Sequence, residues 1–261
     1  MRTGIIGLGT VGKAIRSSFE KRNQIFVHDP KIGTNISDVI NNADLAYISV
    51  PTPSDERTGE CDTRIVEEVL GELPEGYRAV IKSTVIPGTT QRLHEEFPHL
   101  KIACSPEFLR TDTSIEDFQN QDILVVGTHH SELAELIFNQ HVESGVVRME
   151  DCYLTSPTQA ELVKYAKNSF YSMKVIFANQ LYDYCNELGE DWGLVRDIIT
   201  MPQTQPIGDS HLEAISGKKR GFGGNCLPKD TLALYTDLKN KGVAYEFLGA
   251  ILEDNRRLRE G

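Results

Sequence analysis

One cysteine in this chain stands behind three glycines and in front of a Pro-Lys-Asp step, in the run Lys218-Lys219-Arg220-Gly221-Phe222-Gly223-Gly224-Asn225-Cys226-Leu227-Pro228-Lys229-Asp230-Thr231. Glycine allows positive φ or close approach of the backbone to a ligand, and Pro228 suits the first turn of a helix opening near Lys229. That places Cys226 at a helix N-terminus beside an ammonium. Both features favour thiolate over thiol, the condition for a cysteine nucleophile. The alternative is a Gly-rich turn around a buried, inert thiol, the commoner fate of a cysteine without a disulfide. The glycines, Lys229 and Asp230 favour the nucleophile.

A second constellation opens the chain. Residues 2–6 form an apolar strand that runs into Gly7-Leu8-Gly9-Thr10-Val11-Gly12, then a helical pattern at Ala14, Ile15, Ser18 and Phe19, then a strand from Gln24 to His28 ending in Asp29. The glycine spacing alone is weak, but strand before, helix after and an acid beyond the next strand are the context of a dinucleotide site. Gly7 permits the tight turn, Gly9 lets a pyrophosphate approach, Gly12 lets helix and strand pack, and the helix N-terminus attracts the phosphates. Asp29 at that spacing bonds adenosine ribose hydroxyls and favours NAD over NADP. The competing reading is a structural turn with no ligand. Lys164 and Asn168 are an i, i+4 pair on one helix face, and spacing alone fits a solvated lysine and a locally bonded asparagine better than a site.

Residues 221–230, Gly-Phe-Gly-Gly-Asn-Cys-Leu-Pro-Lys-Asp, resemble the signature of the nucleotide-sugar 6-dehydrogenases, the UDP-glucose and GDP-mannose dehydrogenase family. Residues 161–168, Glu-Leu-Val-Lys-Tyr-Ala-Lys-Asn, resemble a second family pattern and turn the reading of Lys164 and Asn168 towards a site. The turns Pro51-Thr52-Pro53, Lys82-Ser83-Thr84-Val85-Ile86-Pro87-Gly88 and Ser105-Pro106-Glu107-Phe108-Leu109-Arg110 follow successive strands in the family's order. Ligands of open α/β sheets bind beyond the carboxyl ends of the strands.

The resemblance implies four-electron oxidation of a sugar primary alcohol to a carboxylate with two NAD⁺, through a thiohemiacetal and a thioester on Cys226. It implies that Lys164 and Asn168 stabilise oxyanions, a contribution of about 3–4 kcal/mol per donor in well-studied sites. Asp230 and Thr84 would hold a water or aid proton transfer, Glu107 would be the general base for hydrolysis, and Lys229 would depress the thiol pKa. The implied cofactor contacts are Gly7, Gly9, Thr10, Val11, Gly12, Asp29, Pro51, Thr52, Thr84 and Lys229. Phe108, Leu109, Arg110, Lys164, Arg220 and Gly223 would meet a UDP- or GDP-linked hexose.

Two positions depart from the family pattern. The motif around Glu107 usually runs Pro-Glu-Phe-Leu-x-Glu, and Thr111 stands where the second acid would be. Lys218-Lys219-Arg220 replaces the usual Pro, small residue and aromatic; it reads equally as a grip on a diphosphate or as a solubilising loop. Family members also continue into a third, α/β domain beyond the length of this chain, so the resemblance is to a short form.

Positioning these residues falls to two kinds of element. Apolar runs at Asp44–Val50, Arg78–Lys82, Lys101–Cys104 and Ile123–Val126 alternate with helical patterns at Thr63–Leu73 and Thr90–Glu96, which predicts a doubly wound parallel (Rossmann) sheet over residues 1–153. From residue 154 to 261 the pattern is helical. A run over 155–188 is long enough and apolar on enough faces to pack against both domains or a second subunit, and resembles the helix through which family members dimerise. Further helices are predicted at Leu194–Thr200, 230–240 and 244–259, with a polar loop through Pro202 and Pro206.

A formal charge of −11 argues against a nucleic-acid partner. Five cysteines without a CxxC pair or zinc spacing read as reduced thiols and imply no metal. No stretch approaches the roughly 20 apolar residues of a membrane helix, and a cytoplasmic homodimer without membrane association is expected. Two other functions compete: a two-electron β-hydroxyacid-type dehydrogenase, which needs no cysteine, and a degenerate module that keeps NAD affinity without turnover.

Overall fold

The computed structural model describes residues 1–55, 57–202, 208, 210–216, 219–242 and 244–260. Pro206 and Lys218 lie outside them. The chain folds into two compact units, residues 1–53 with 61–164 and residues 54–60 with 165–261.

In the first unit, β1 (Arg2–Ile6), α1 (Thr10–Phe19), β2 (Gln24–His28), α2 (Ile36–Ile40), β3 (Leu45–Ile48), α3 (Arg64–Gly71), β4 (Arg78–Ile81), α4 (Thr89–Glu96) and β5 (Lys101–Cys104) alternate, and all but the five-residue α2 are expected from the sequence. They continue through α5 (Ser114–Gln119), β6 (Leu124–Thr128), α6 (Ser131–Glu143) and β7 (Cys152–Thr155). The seven strands lie in the order β2-β1-β3-β4-β5-β6-β7. Successive residues of one strand face opposite sides of a sheet. Ile6, Ile48 and Ile81 accordingly join one core layer with Val66, Leu70 and Leu93. Ile5, Tyr47 and Val80 join the other with Ile15, Phe19 and Leu133.

The parallel expectation fails at one pair, because β5 and β6 run antiparallel with Ala103 opposite Thr128. A parallel neighbour needs a crossover spanning the sheet, whereas an antiparallel one starts where its partner finished. Residues 105–123 provide only a turn and the six-residue α5, whose Phe118 packs edge-on against Phe19 with ring centroids 5.6 Å apart. Apolar run length carries no such directional information, so the sequence did not show it.

The helix α7 (Pro157–Leu188) runs uninterrupted for 32 residues and stops before Gly189, which has a φ of 74°. That left-handed residue ends a helix at little cost when it is glycine. The second unit comprises the later turns of α7, α8 (Trp192–Ile199), a short hairpin of β8 (Ile215–Ser216) and β9 (Lys219–Arg220), α9 (Leu227–Asn240) and α10 (Glu246–Glu260). Val175, Ile176, Phe222, Leu248 and Ile251 form one core and Ala178, Cys185, Trp192 and Leu212 another. Phe170, Phe177 and Tyr184, seven residues apart, stay exposed along α7 with Leu188. Among the described residues no helix is long and apolar enough to cross a membrane.

Candidate active site

Two of the glycines in the turn after β1 are required by packing, and the third is not. Gly7 has a φ of 91°, and a Cβ there would lie 2.6 Å from the Ser49 carbonyl oxygen. A Cβ on Gly12 would collide with the Gly7 carbonyl oxygen. Gly9, the N-cap of α1, is exposed, and an added Cβ would meet nothing within 4 Å. Its missing side chain therefore leaves open space rather than protein contact. No side chain caps α1 at this end and its first turn holds no acid, so the first-turn N–H groups, those of Thr10 and Val11 among them, are left uncapped by side chains in a setting that suits phosphate. These residues fit a dinucleotide pyrophosphate.

Asp29 closes the turn from the other side. Its carboxylate accepts from the Leu8 amide at 2.7 Å and the Lys31 amide at 2.8 Å. Those backbone bonds, Leu8 first, hold its pKa below the ordinary carboxylate range. The group stays anionic at neutral pH, and each oxygen keeps a lone pair for a ribose hydroxyl.

The loops beyond β1, β3 and β4 are tied together by side-chain hydroxyls. Ser49 donates to the Gly7 carbonyl at 2.7 Å, Ser83 to the Val50 carbonyl at 2.7 Å, and Thr52 to the Thr84 carbonyl at 2.7 Å. Thr52 is thus buried as a brace between loops, while its neighbour Pro51 is exposed.

Beyond β5, Glu107 accepts from the Lys164 ammonium at 3.1 Å and from the Leu109 amide at 2.5 Å. The Lys164 and Glu107 side chains are only 5% and 9% exposed. Lys164 also lies 5.9 Å from the Phe108 ring centroid. Leu109 packs against the core layer around Phe118, and Arg110 pairs with Asp117 at 2.6 Å. Arg110 remains mostly exposed, but its guanidinium already has an anion.

In the second unit, Cys226 is exposed and is the N-cap of α9, with Pro228 in the first turn. The helix thus opens two residues before the predicted Lys229. Asp230, 1% exposed, accepts from Asn168 Nδ2 at 2.5 Å and pairs with the Lys229 ammonium at 2.5 Å. Lys229, expected to act on the thiol, has Asp230 as its ion-pair partner. Arg220 pairs with Asp183 at 2.6 Å and donates to Asn179 Oδ1 at 3.1 Å, fastening β9 to α7. Of the two readings of the basic run, this contact adds a third role for Arg220, as a structural fastening. Gly223 lies beside the Arg259 guanidinium, 2.9 Å from where its Cβ would be.

Three contributors escaped sequence reasoning. Asn255 on α10 accepts from the Phe222 amide at 2.7 Å and holds the glycine loop. Glu161 accepts from the Gly88 and Thr90 amides at 2.6 and 2.7 Å, anchoring the loop after β4. Lys82 is fully buried at the end of β4. Lys82 and Glu161 left a trace in the sequence as the first residues of the Lys82–Gly88 and 161–168 patterns, though neither is given a role there; Asn255 left none.

A doubly wound sheet with a bare glycine at its first helix, followed by a helical unit, is the Rossmann class of dinucleotide-binding protein. Residues 28–142 match the NAD binding domain of the UDP-glucose/GDP-mannose dehydrogenase family, and residues 158–257 match its central domain. The UDP-glucose 6-dehydrogenase of Rickettsia felis is 34% identical over 237 residues, covering 86% of this chain and 50% of the relative. That of Bacillus subtilis is 30% identical over 238 residues, covering 86% and 49%. A solved UDP-glucose dehydrogenase from the hyperthermophilic archaeon Pyrobaculum islandicum is 26% identical, with a TM-score of 0.83 over 98% of this chain and 68% of its own. The chain belongs to the UDP-glucose/GDP-mannose dehydrogenase family. It spans about half the length of the curated relatives it matches.

Proposed function

We propose that this chain oxidises the primary alcohol of a sugar nucleotide to a carboxylate, with two NAD⁺ as hydride acceptors and Cys226 as nucleophile. The observation that carries the reading is an exposed cysteine at the first turn of α9, with a buried Asp230 one turn further on. The helix N-terminus favours the thiolate.

The alcohol loses a hydride and its hydroxyl proton to give the aldehyde. Cys226 sulfur then forms a bond to the aldehyde carbon, and the oxygen takes a proton to give a thiohemiacetal. Loss of a second hydride from that carbon, with the hydroxyl proton, leaves a thioester. Water adds, the carbon–sulfur bond breaks, and the acid and thiolate separate. NAD⁺ supplies the acceptor for both hydrides and nothing else. Lys164 and Asn168, one helical turn apart on α7, donate to the oxyanions; Asn168 gives one N–H to Asp230 and retains a second. Glu107 takes the proton of the attacking water, since the hydroxyl of Thr111 cannot serve as a carboxylate base. The paired loops carrying Pro51, Thr52 and Thr84 bind the nicotinamide half, and Phe108 and Gly223 bound the sugar. A cytoplasmic homodimer formed through the exposed Phe170, Phe177 and Tyr184 face of α7 belongs to the same reading.

The test is NADH formation with UDP-glucose, GDP-mannose and their N-acetyl relatives, wild type beside Cys226→Ser. Two NADH per substrate in the wild type, lost in the variant, is the expected result. Turnover that survives Cys226→Ser would instead support a two-electron dehydrogenase. NAD⁺ binding with no NADH across the panel would support a binding module.

A further inference from the structure

Lys82 follows directly on β4, and its side chain is 1% exposed. Its ammonium donates to Ser105 Oγ at 3.2 Å and approaches the Pro106 carbonyl at 3.5 Å, rather than reaching a carboxylate of its own. The face of the Phe118 ring lies 5.9 Å away. An ammonium removed from water without a close anion is unfavourable, and an unbranched apolar side chain would fill this position without that penalty. Burial pushes Lys82 down to about 8; Glu107 and then Cys104 favour its charged form, and Lys164 opposes it. On the α6 side, the buried His141 is pushed down to about 3 by burial and then by the Lys82 charge.

What lysine contributes here and an apolar residue would not is a grip on Ser105 and Pro106, the two residues leading into Glu107. It also brings a second cation to a carboxylate whose close partners are Lys164 and the Leu109 amide. We propose that Lys82 is a positioning residue for Glu107: it anchors the Ser105-Pro106 step and keeps the Glu107 carboxylate in one orientation for thioester hydrolysis. The inference rests on the functional reading above only for the step that Glu107 serves.

The experiment compares wild type, Lys82→Met, Glu107→Gln and the double variant. In Lys82→Met, NAD⁺ affinity and the first NADH per site should stay within about twofold of wild type, while acylated Cys226 accumulates by mass spectrometry and steady-state turnover falls roughly 10- to 100-fold. Its melting temperature should equal or exceed that of the wild type, and the double variant should be no slower than Glu107→Gln alone. Unchanged turnover, or a parallel fall in both phases together with melting temperature, would overturn the proposal, since a merely structural lysine gives one or the other. A readout independent of turnover separates this from failure of the functional reading. With lysine labelled at ¹³Cε, replacement of Glu107 by Gln should lower the titration midpoint of Lys82, even if no sugar nucleotide is oxidised. An unmoved midpoint would sink the link between the two residues.

Discussion

Glu107 in the first unit and Asp230 in the second are both nearly buried carboxylates between nitrogen donors, and they differ in charge balance. Asp230 pairs with one ammonium, Lys229, and one neutral amide, Asn168, so the cluster is neutral. Glu107 pairs with Lys164 and also interacts with the buried Lys82, so two cations face one anion. The neutral cluster fixes the first turn of α9 against α7. The surplus positive charge of the other suits an environment in which negative charge develops, and folding it is less favourable for that reason.

The comparison is broken most severely by removing the anion from each cluster. Glu107→Ala leaves Lys164 and Lys82 buried and uncompensated, and should lower unfolding stability by roughly 3–5 kcal/mol in a denaturant titration. Asp230→Ala should cost less, roughly 2–3 kcal/mol, because Lys229 is 21% exposed and can regain water while Asn168 is left unsatisfied. Equal losses would show that the excess cation has no energetic weight.

Lys82→Met should raise stability near pH 7 by about 1–2 kcal/mol, and its pH dependence sharpens the contrast. Lys82 is depressed to about 8 from lysine's ordinary 10.5, so between those values the unfolded chain binds more protons than the folded one. Wild-type stability should rise through that window, by at most about 1.4 kcal/mol per pH unit, and the advantage of Lys82→Met should shrink as the pH passes 8. A constant difference in thermal melts from pH 7 to pH 10 would refute this.

The smallest effect concerns the loop that carries Cys226. Asn255→Ala removes the acceptor of the Phe222 amide and should cost about 1 kcal/mol, read from melting of helical circular dichroism. The rate of Cys226 alkylation should change with it, because the loop that Asn255 holds runs directly into Cys226.

Much of the frame was legible before any coordinates. The glycine turn, the strand–helix alternation and the run that became α7 rest on local rules of period, propensity and backbone freedom, and Pro228 announced the helix that Cys226 begins. Long-range partners were not legible. Ser54 donates to the Lys229 carbonyl at 3.1 Å, 175 positions along the chain. Gly59, with a φ of 76°, has its missing Cβ directed at Leu232 and Thr236 of α9. Neither contact has a signature in spacing, and nothing in the segment between β5 and β6 foretold that the sheet reverses there.

Residue types at set intervals along the chain determined which candidate groups this protein carries: a glycine turn at the start of a helix, an acid after the second strand, and a cysteine at a helix start. Tertiary structure decided which charge meets which. It gave Lys229 to Asp230, Arg110 to Asp117 and Arg220 to Asp183, and it buried Lys82 beside the turn leading to Glu107. The reason is range: helix and strand preferences act over a few residues of sequence, whereas charge interactions and burial depend on distance in space, which the chain acquires when it folds.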